Sequence, residues 1–258
     1  MAARWVLAAA LALAACGARA PVAPVSLPAG EPAFGDTRPV DWPGLSPDDL
    51  PVHGIDVSRY QGPIDWEAAR AAGVSFAFIK ATEGGDRIDA GFLERWRAAG
   101  AAGVPRAAYH FYYFCTPPEV QARWFIANVP REPGALPPVL DLEWNPQSPT
   151  CQRRPDAATV RAEALAFMAV VEAHYGQRPV IYTDPGFWED NGVARLGAAD
   201  LWLRSTRTDP SGPYDGAPWT FWQYSATGLV PGIGTEVDLN AFAGSRAEWA
   251  AWVAARAR

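Results

Sequence analysis

Two carboxylates two positions apart interrupt a strongly apolar segment near the middle of the chain. The segment reads PVLDLEWN, and Asp141 and Glu143 stand in it among residues typical of a buried strand. Successive side chains of a strand point to opposite faces, so these two carboxylates share one face, with backbone positions ~6–7 Å apart. Two acids this close cannot both ionise cheaply, so one of them retains a proton near neutral pH. Such a proton can be donated to a departing glycosidic oxygen.

Further polar residues stand where other predicted strands end. From residue 53 onward, strand-like and helix-like segments alternate, which predicts a parallel sheet covered by helices. We predict eight strands closed into an α/β barrel that is irregular in its final third. An open doubly wound sheet is the alternative, although no Gly-rich phosphate loop follows any strand. The residues at the predicted strand ends are Asp56, Lys80, Glu83, Tyr109, His110, Asp141, Glu143, Tyr182, Asp184, Arg204, Gln223, Tyr224, Asp238 and Asn240.

The carboxyl ends of the strands of a parallel barrel meet on one face, where active sites lie. Four carboxylates would then share one pocket: Asp56, Asp141, Glu143 and Asp238. A single Asp at a strand end usually caps the following helix or loop. Four acids at strand ends, with two of them inside one strand, instead favour an acid–base active site.

Other chemistries fit the sequence less well. The three histidines, His53, His110 and His174, lie far apart, which argues against a zinc site. The acids could hold a divalent cation as hard oxygen ligands, but no motif supports this, and we expect neither metal nor cofactor. A Ser-His-Asp system would need a G-x-S-x-G elbow, which is missing. The net charge of -6 leaves no basic stripe for nucleic acid.

The first residues are typical of an exported protein. An apolar stretch over residues 5–15 follows Arg4; it is too short to span a bilayer and has the layout of a secretory signal. The letters LAAC resemble a bacterial lipobox, which predicts a signal peptide over 1–15 and a lipid-modified Cys16. Simple secretion, with cleavage after ARA at 18–20, is the alternative. We predict a Pro- and Ala-rich linker over 16–50 and a single catalytic domain over 51–258.

The remaining cysteines predict a disulfide. If Cys16 carries lipid, Cys115 and Cys151 remain as an even pair in an oxidising compartment. Cys115 ends the third predicted strand and Cys151 lies in the loop after the fourth. These two strand ends are neighbours in the predicted barrel, so the two thiols can meet.

Seven short motifs resemble glycoside hydrolase family 25, the Chalaropsis-type lysozymes, which are N-acetylmuramidases that cut peptidoglycan. They occur in the expected order between residues 53 and 253: HGIDVSRYQGPIDW, FAFIKATEG, AYHFY, PVLDLEWN, PVIYT, WQYS and VDLN. The resemblance implies an irregular TIM-like (β/α)5β3 barrel. It also implies hydrolysis of the β-1,4 bond between N-acetylmuramic acid and N-acetylglucosamine in peptidoglycan glycan strands.

The resemblance also implies roles for single residues. Glu143 falls on the catalytic acid, and the family's other acids fall on Asp56, Asp141 and Asp238. The positions that line the family's cleft are Lys80, Glu83, Tyr109, Tyr182 and Gln223. We interpret Asp141 as the ionised neighbour of Glu143, which stabilises charge or orients a group. Two routes stay open: attack by the substrate's own acetamido group, or direct attack by a carboxylate or an activated water.

Two other functions are weighed against this one. A chitinase-like hydrolase of N-acetylglucosamine oligomers would carry the longer run D-x-x-D-x-D-x-E, but Leu136 and Val139 occupy its first two acidic positions. A non-catalytic sugar-binding lipoprotein on the same barrel would not need four intact acids. We therefore predict an exported, monomeric glycosidase of the bacterial cell envelope, held to a membrane through Cys16.

Overall fold

A closed barrel of eight strands forms the centre of the protein. The computed structural model describes residues 27–28 and 30–256. The barrel strands are β2 (His53–Val57), β3 (Val74–Glu83), β5 (Arg106–Phe111), β6 (Val139–Leu142), β7 (Val180–Thr183), β8 (Leu201–Arg204), β9 (Phe221–Leu229) and β10 (Val237–Phe242). Two short strands lie outside the barrel: β1 (Gly35–Asp36) pairs with β9, and β4 (Arg87–Ile88) pairs with β3. All eight predicted strands are present.

Seven of the barrel strands are parallel, and the eighth is reversed. Strands β2, β3, β5, β6, β7, β8 and β9 follow one another in parallel, and β10 lies antiparallel between β9 and β2. The predicted closed barrel is confirmed, and the open doubly wound sheet is excluded. The expectation that Asp238 stands at the carboxyl end of its strand is wrong. It lies near the start of β10, and the reversal brings it to the same rim, opposite Asp56.

Helices cover most of the barrel wall. They are α1 (Trp66–Ala71), α2 (Phe92–Ala101), α3 (Pro118–Asn128), α4 (Ala157–Tyr175), α5 (Pro185–Asn191) and α6 (Arg246–Arg256). Helices α1 to α5 each follow one parallel strand, and β8, β9 and β10 then follow without such helices. This confirms the expected five β/α units and three further strands. Helix α5 was not predicted, because its seven residues are too few to show a helical period.

Alternation along the strands divides the apolar core into two layers. Residues such as Ile55, Ile79 and Leu140 point outward and pack under the helices. Residues such as Phe76 and Phe78 point into the lumen. Gly54 also faces the lumen, where a Cβ atom would lie 2.5 Å from the Phe76 ring, so only glycine fits beside that ring. The lumen is therefore a packed core up to the level of the acids.

The lower end of the lumen, at the amino ends of the parallel strands, is filled with aromatic rings. Trp249 and Trp252 of α6 stack at 5.7 Å between ring centroids and close this end. The Trp249 ring lies 5.2 Å from those of Phe76 and Phe242. Trp249 is completely buried. Helix α6 therefore acts as a plug beneath the barrel.

The wall formed by β9, β10 and β2 is covered by the segment of residues 30–50 rather than by a helix. Strand β1 of this segment pairs with β9. The Asp36 carboxylate accepts hydrogen bonds from the hydroxyls of Ser225 and Thr227, at 2.5 and 2.6 Å. The Trp42 ring packs edge-on against Trp222, with centroids 5.0 Å apart. The later part of the predicted linker thus lies against the barrel, and residues 1–26 are outside the described residues.

None of the helices within residues 27–28 and 30–256 combines the length and the apolar character that crossing a bilayer requires.

Candidate active site

Asp56 and Asp238 form a pair at the upper rim of the lumen. They stand opposite each other on β2 and β10. Burial, and then the charge of Asp56, raise the pKa of Asp238 to about 9, so Asp238 keeps its proton at neutral pH and shares it with Asp56 in a hydrogen bond. Burial also raises the pKa of Asp56, but only to about 6, because the side chains of Asn240 and Gln223 donate hydrogen bonds to it. At neutral pH the pair therefore carries one negative charge.

A network of neutral side chains holds the Asp56 carboxylate in place. Its Oδ2 atom accepts from Gln223 Nε2 at 2.9 Å and from Asn240 Nδ2 at 2.8 Å. Gln223 Oε1 in turn accepts from the Tyr182 hydroxyl at 2.9 Å, and Asn240 Oδ1 accepts from Trp202 Nε1 at 2.7 Å. No supporting role for Trp202 or Asn240 was predicted from the sequence. The only signal was the predicted place of Asn240 at a strand end, and in the structure Asn240 lies inside β10.

Asp141 and Glu143 lie on one face of β6 and its extension, as the alternation predicts. Asp141 is 5 % exposed, and burial, followed by the charge of Glu143, raises its pKa well above the ordinary range. Burial, followed by the charge of Asp184, raises the pKa of Glu143 to about 7. Burial therefore raises the pKa of both acids, so that the pair retains a proton near neutral pH. The expectation that Asp141 is ionised beside a protonated Glu143 stays a prediction.

Asp141 also has an unused hydrogen-bonding position. Its Oδ1 atom is buried and has no hydrogen-bond partner within the described residues. Buried polar atoms are nearly always paired, and an ionised carboxylate without donors is especially unfavourable. The ionised form of Asp141 is therefore less well stabilised than that of Asp56, which accepts two hydrogen bonds.

Most of the residues predicted to line a cleft are buried, and Lys80 is partly exposed. Tyr109 and Tyr182 are buried beside the acids, whose charges add to burial in raising the pKa of each phenol well above its usual value. Lys80 lies nearby, and its charge lowers the pKa values of Asp141 and Glu143. Lys80 Nζ also bonds to Glu83 Oε2 at 2.7 Å. Burial alone would raise the pKa of Glu83, but Lys80 and Arg87 together outweigh burial, and the pKa is lowered.

Two further charged residues face the acids from the next strands. Asp184 follows β7, and Arg204 ends β8. Both were recognised at strand ends in the sequence, but no role was assigned to them. Arg204 lowers the pKa of Glu143, while Asp184 raises it. His110, by contrast, points away from the lumen and stacks on Phe167 at 4.9 Å.

The predicted disulfide is confirmed. Cys115 and Cys151 are bonded, with an S–S distance of 2.08 Å and Cα atoms 5.8 Å apart. The bond joins the loop after β5 to the loop after β6, which begins at Glu143. Arg153 strengthens the same junction, because its Nη1 atom donates to the Phe114 carbonyl oxygen at 3.0 Å. The loop beyond Glu143 is therefore fixed at its far end.

The rim as a whole combines acids that hold protons near neutral pH with a fixed carboxylate and two cationic side chains. A protonated carboxyl can act as a general acid, and ionised carboxylates can stabilise a positive charge that develops nearby. This combination suits cleavage of a glycosidic bond, in which the leaving oxygen takes a proton and the sugar ring becomes cationic.

Comparisons with known proteins agree with this chemistry. The sequence model for Glycosyl hydrolases family 25 matches residues 55–233. Lysozyme M1 of Streptomyces globisporus is 38% identical over 92% of this chain and 87% of its own length. An N,O-diacetylmuramidase of Arthroderma benhamiae is 32% identical over 68% of this chain and 77% of its own length. The structure of a family 25 glycosyl hydrolase from Bacillus anthracis superposes with a TM-score of 0.74 and 35% identity, over 80% of this chain and 94% of that one. The chain belongs to glycosyl hydrolase family 25 and is a glycoside hydrolase.

Proposed function

We propose that the protein is a muramidase that hydrolyses the β-1,4 bond between N-acetylmuramic acid and N-acetylglucosamine in peptidoglycan. The observation that carries the proposal is Glu143, a half-buried carboxyl at the mouth of the lumen whose pKa is raised to about 7. A general acid works best when its pKa lies near the working pH. The names of the relatives, a lysozyme and a muramidase, support peptidoglycan as the substrate.

Glu143 is the proton donor in this proposal. It donates to the glycosidic oxygen as the bond breaks, while the Asp56 carboxylate, held by Gln223 and Asn240, stabilises the positive charge on the sugar. Asp238 keeps that charge fixed by donating its proton to Asp56. The rate should therefore fall as the pH rises through about 7, because Glu143 then loses the proton that it must donate.

Asp141 has an orienting role in this proposal. Its Oδ1 atom lacks a hydrogen-bond donor, and the N–H of a substrate acetamido group placed beside it would supply one. Such a donor favours the ionised form of Asp141, so the proton shared by the two acids would stay on Glu143 when substrate binds. The acetamido oxygen held in this way could attack the sugar carbon, which favours acetamido participation over direct attack by a carboxylate or water.

The test is substitution of Glu143 by Gln, which keeps the shape and removes the proton donor. Dye release from purified peptidoglycan should disappear, while binding to the glycan is retained. Glu94→Gln on the exposed side of α2 is the matched control and should cleave like the wild type. Near wild-type cleavage by Glu143→Gln would contradict the assignment. Preferential cleavage of chitin oligomers by the wild type would favour the chitinase-like alternative, and cleavage of neither substrate would favour a sugar-binding lipoprotein.

We propose further that the protein is exported and anchored by lipid at Cys16, after removal of residues 1–15. These residues lie outside the described part of the chain, so the proposal rests on the LAAC pattern. The wild type should fractionate with membranes, and Cys16→Ala should move it to the soluble exported fraction. Unchanged fractionation would instead favour cleavage after ARA at 18–20 or a different location.

A further inference from the structure

Glu143, Asp184 and Arg204 form a row of three charged side chains on neighbouring strands at the mouth of the lumen. The last paired residues of β6 and β7 are Leu142 and Thr183. Glu143 and Asp184 each follow by one residue, so they are next in register. Thr183 pairs with Leu203 on β8, which places Arg204 beside Asp184 in the same way. The row therefore consists of two acids, Glu143 and Asp184, followed by the cation Arg204, one on each of three neighbouring strands.

Alternation directs this row toward the lumen. Tyr182 and Trp202, two positions earlier on β7 and β8, belong to the apolar cluster inside the barrel. Asp184 and Arg204 lie on the same faces as these residues, two positions nearer the rim. Arg204 pairs in register with Gln223, the residue that holds Asp56. The row thus links Glu143 to the other side of the site.

The ends of the two strands are held firmly together. Tyr214, which is completely buried, donates from its hydroxyl to the Arg204 carbonyl oxygen at 2.7 Å. The same hydroxyl lies 3.1 Å from the Thr183 carbonyl oxygen. Asp184 is also fixed from the other side, because its Oδ1 atom accepts from the Phe187 amide at 3.0 Å as the N-cap of α5. The Asp184 carboxylate is therefore preorganised, and the backbone that carries Arg204 is fixed beside it.

Neither charge of the row is neutralised by a direct ion pair. The ion pairs found among residues 27–28 and 30–256 include neither Asp184 nor Arg204. Both side chains are half-buried, where solvent screens charges less than at the open surface. Their fields therefore reach the neighbouring acids.

We propose that Asp184 and Arg204 are positioning residues for the reaction, acting through Glu143 as opposed charges that together set how firmly this acid holds its proton. The inference rests on the proposed role of Glu143 as the general acid. It adds a function to two residues outside the acids and cleft-lining residues identified from the sequence. Asp184 keeps the proton on Glu143 until the glycosidic oxygen arrives, and Arg204 makes the same proton easier to release.

Several other groups act on the same acid and define what the pair adds. Burial raises the pKa of Glu143 most, and the charge of Asp184 is the next largest cause; Arg204 and then Lys80 lower this pKa. The ionisable groups that interact with Glu143 from all the surrounding strands are Asp56, Lys80, Asp141, Tyr182, Asp184, Arg204 and Asp238. Among them, Asp184 can be neutralised without touching the residues to which the proposed function gives a role.

The test compares pH profiles of kcat/KM on a soluble peptidoglycan glycan oligomer. Asp184→Asn removes the charge and keeps the helix cap, because Asn is an equally good N-cap residue. Its alkaline limb should move to lower pH by about 1 pH unit, and that of Arg204→Met should move to higher pH. Asp156→Asn is the matched control, since Asp156 caps α4 in the same manner from an exposed position, and its limb should not move.

A direct titration separates this inference from the proposed function. The Glu143 carboxyl can be followed by carbon NMR, with its signal assigned by its loss in Glu143→Gln. Its midpoint should fall in Asp184→Asn and rise in Arg204→Met, and either variant gives a result if the other does not fold. Unchanged midpoints would overturn the inference even if Glu143→Gln is inactive. Shifted midpoints together with an active Glu143→Gln would overturn the proposed function instead.

Discussion

The two ends of the barrel lumen are built on the same strands for opposite purposes. At the lower end, Phe76, Phe221 and Trp249 pack ring against ring, with centroids 5.2–6.3 Å apart. At the upper end, four acids share one rim, and burial raises the pKa of each. Aromatic packing stabilises the fold, whereas buried acids destabilise it unless they stay protonated.

The residues that stabilise the fold and the acids of the candidate site are therefore separated along the axis of the barrel. Functional sites commonly break the rules that the rest of a protein follows, and the surrounding structure compensates for them. Here the compensation has identifiable parts: a packed aromatic end beneath the acids, and neutral hydrogen-bond donors from Gln223 and Asn240 around Asp56. Substitutions at the upper end should therefore change the rate and spare the fold, and those at the lower end should do the reverse.

After Glu143→Gln, the largest effect on the rate is expected for Asp141→Asn, also at the upper end. We expect a rate loss on the order of a hundredfold or more, because the group that orients the reacting parts no longer carries charge. The melting temperature should stay equal or rise, since a buried acid with an unpaired oxygen is replaced by a neutral amide. Kinetics on peptidoglycan test the expected rate loss, and thermal unfolding tests the expected melting temperature. A large loss of stability would show that Asp141 also supports the fold.

The matching change at the lower end is Trp249→Ala. Removing this completely buried ring should lower the free energy of unfolding by about 3–5 kcal/mol. Its indole N–H has no hydrogen-bond partner within the described residues, so the loss reflects packing. The kcat per folded molecule should stay near that of the wild type, because no acid is touched. Trp249→Phe serves as the control and should retain most of the stability. A selective fall in kcat would show that the two ends are coupled.

The disulfide is the covalent support of the upper end. The double variant Cys115→Ala, Cys151→Ala should lose about 3–4 kcal/mol, because the unfolded chain is no longer closed across a separation of 36 residues. Urea unfolding of the double variant and of the reduced wild type should agree. Equal stability of the oxidised and reduced proteins would show that the native contacts of the loop after β6, such as Arg153 to Phe114, are sufficient.

The smallest effect appears as a pH dependence of stability. The pKa of Glu143 is raised to about 7 in the folded protein, while unfolded Glu ionises near pH 4.5. As the pH rises from about 4.5 to 7, the unfolded state releases this proton and the folded state keeps it, so stability falls; above about 7 the difference is constant. Glu143→Gln should therefore gain on the order of 3 kcal/mol relative to wild type between pH 4.5 and 8. Urea unfolding at both pH values measures this gain, and Glu94→Gln should show none.

Much of the fold could be predicted from the sequence because its signals are local. Apolar runs with polar ends predicted all eight barrel strands, and alternation within VLDLEW correctly placed Asp141 and Glu143 on one face. Helix α5 was missed because seven residues give no clear period. The direction of β10 was also missed, since an isolated strand has the same pattern in either direction and only its antiparallel pairing with β9 and β2 reveals the reversal.

The sequence alone specifies the residue types at the rim, the strand alternation that directs them inward and the cysteine pair. The raised pKa values of these acids depend on the tertiary fold, because burial depth and neighbouring charge come from strands far apart in the chain. Asp141 is the clearest case: its pKa is raised most by burial, which no local pattern reveals. Asp184 and Arg204 are another, since their row with Glu143 exists only through the register of β6, β7 and β8. The alternation of side chains is a property of a single strand, whereas the electric field at Glu143 depends on charges from several strands of the assembled barrel.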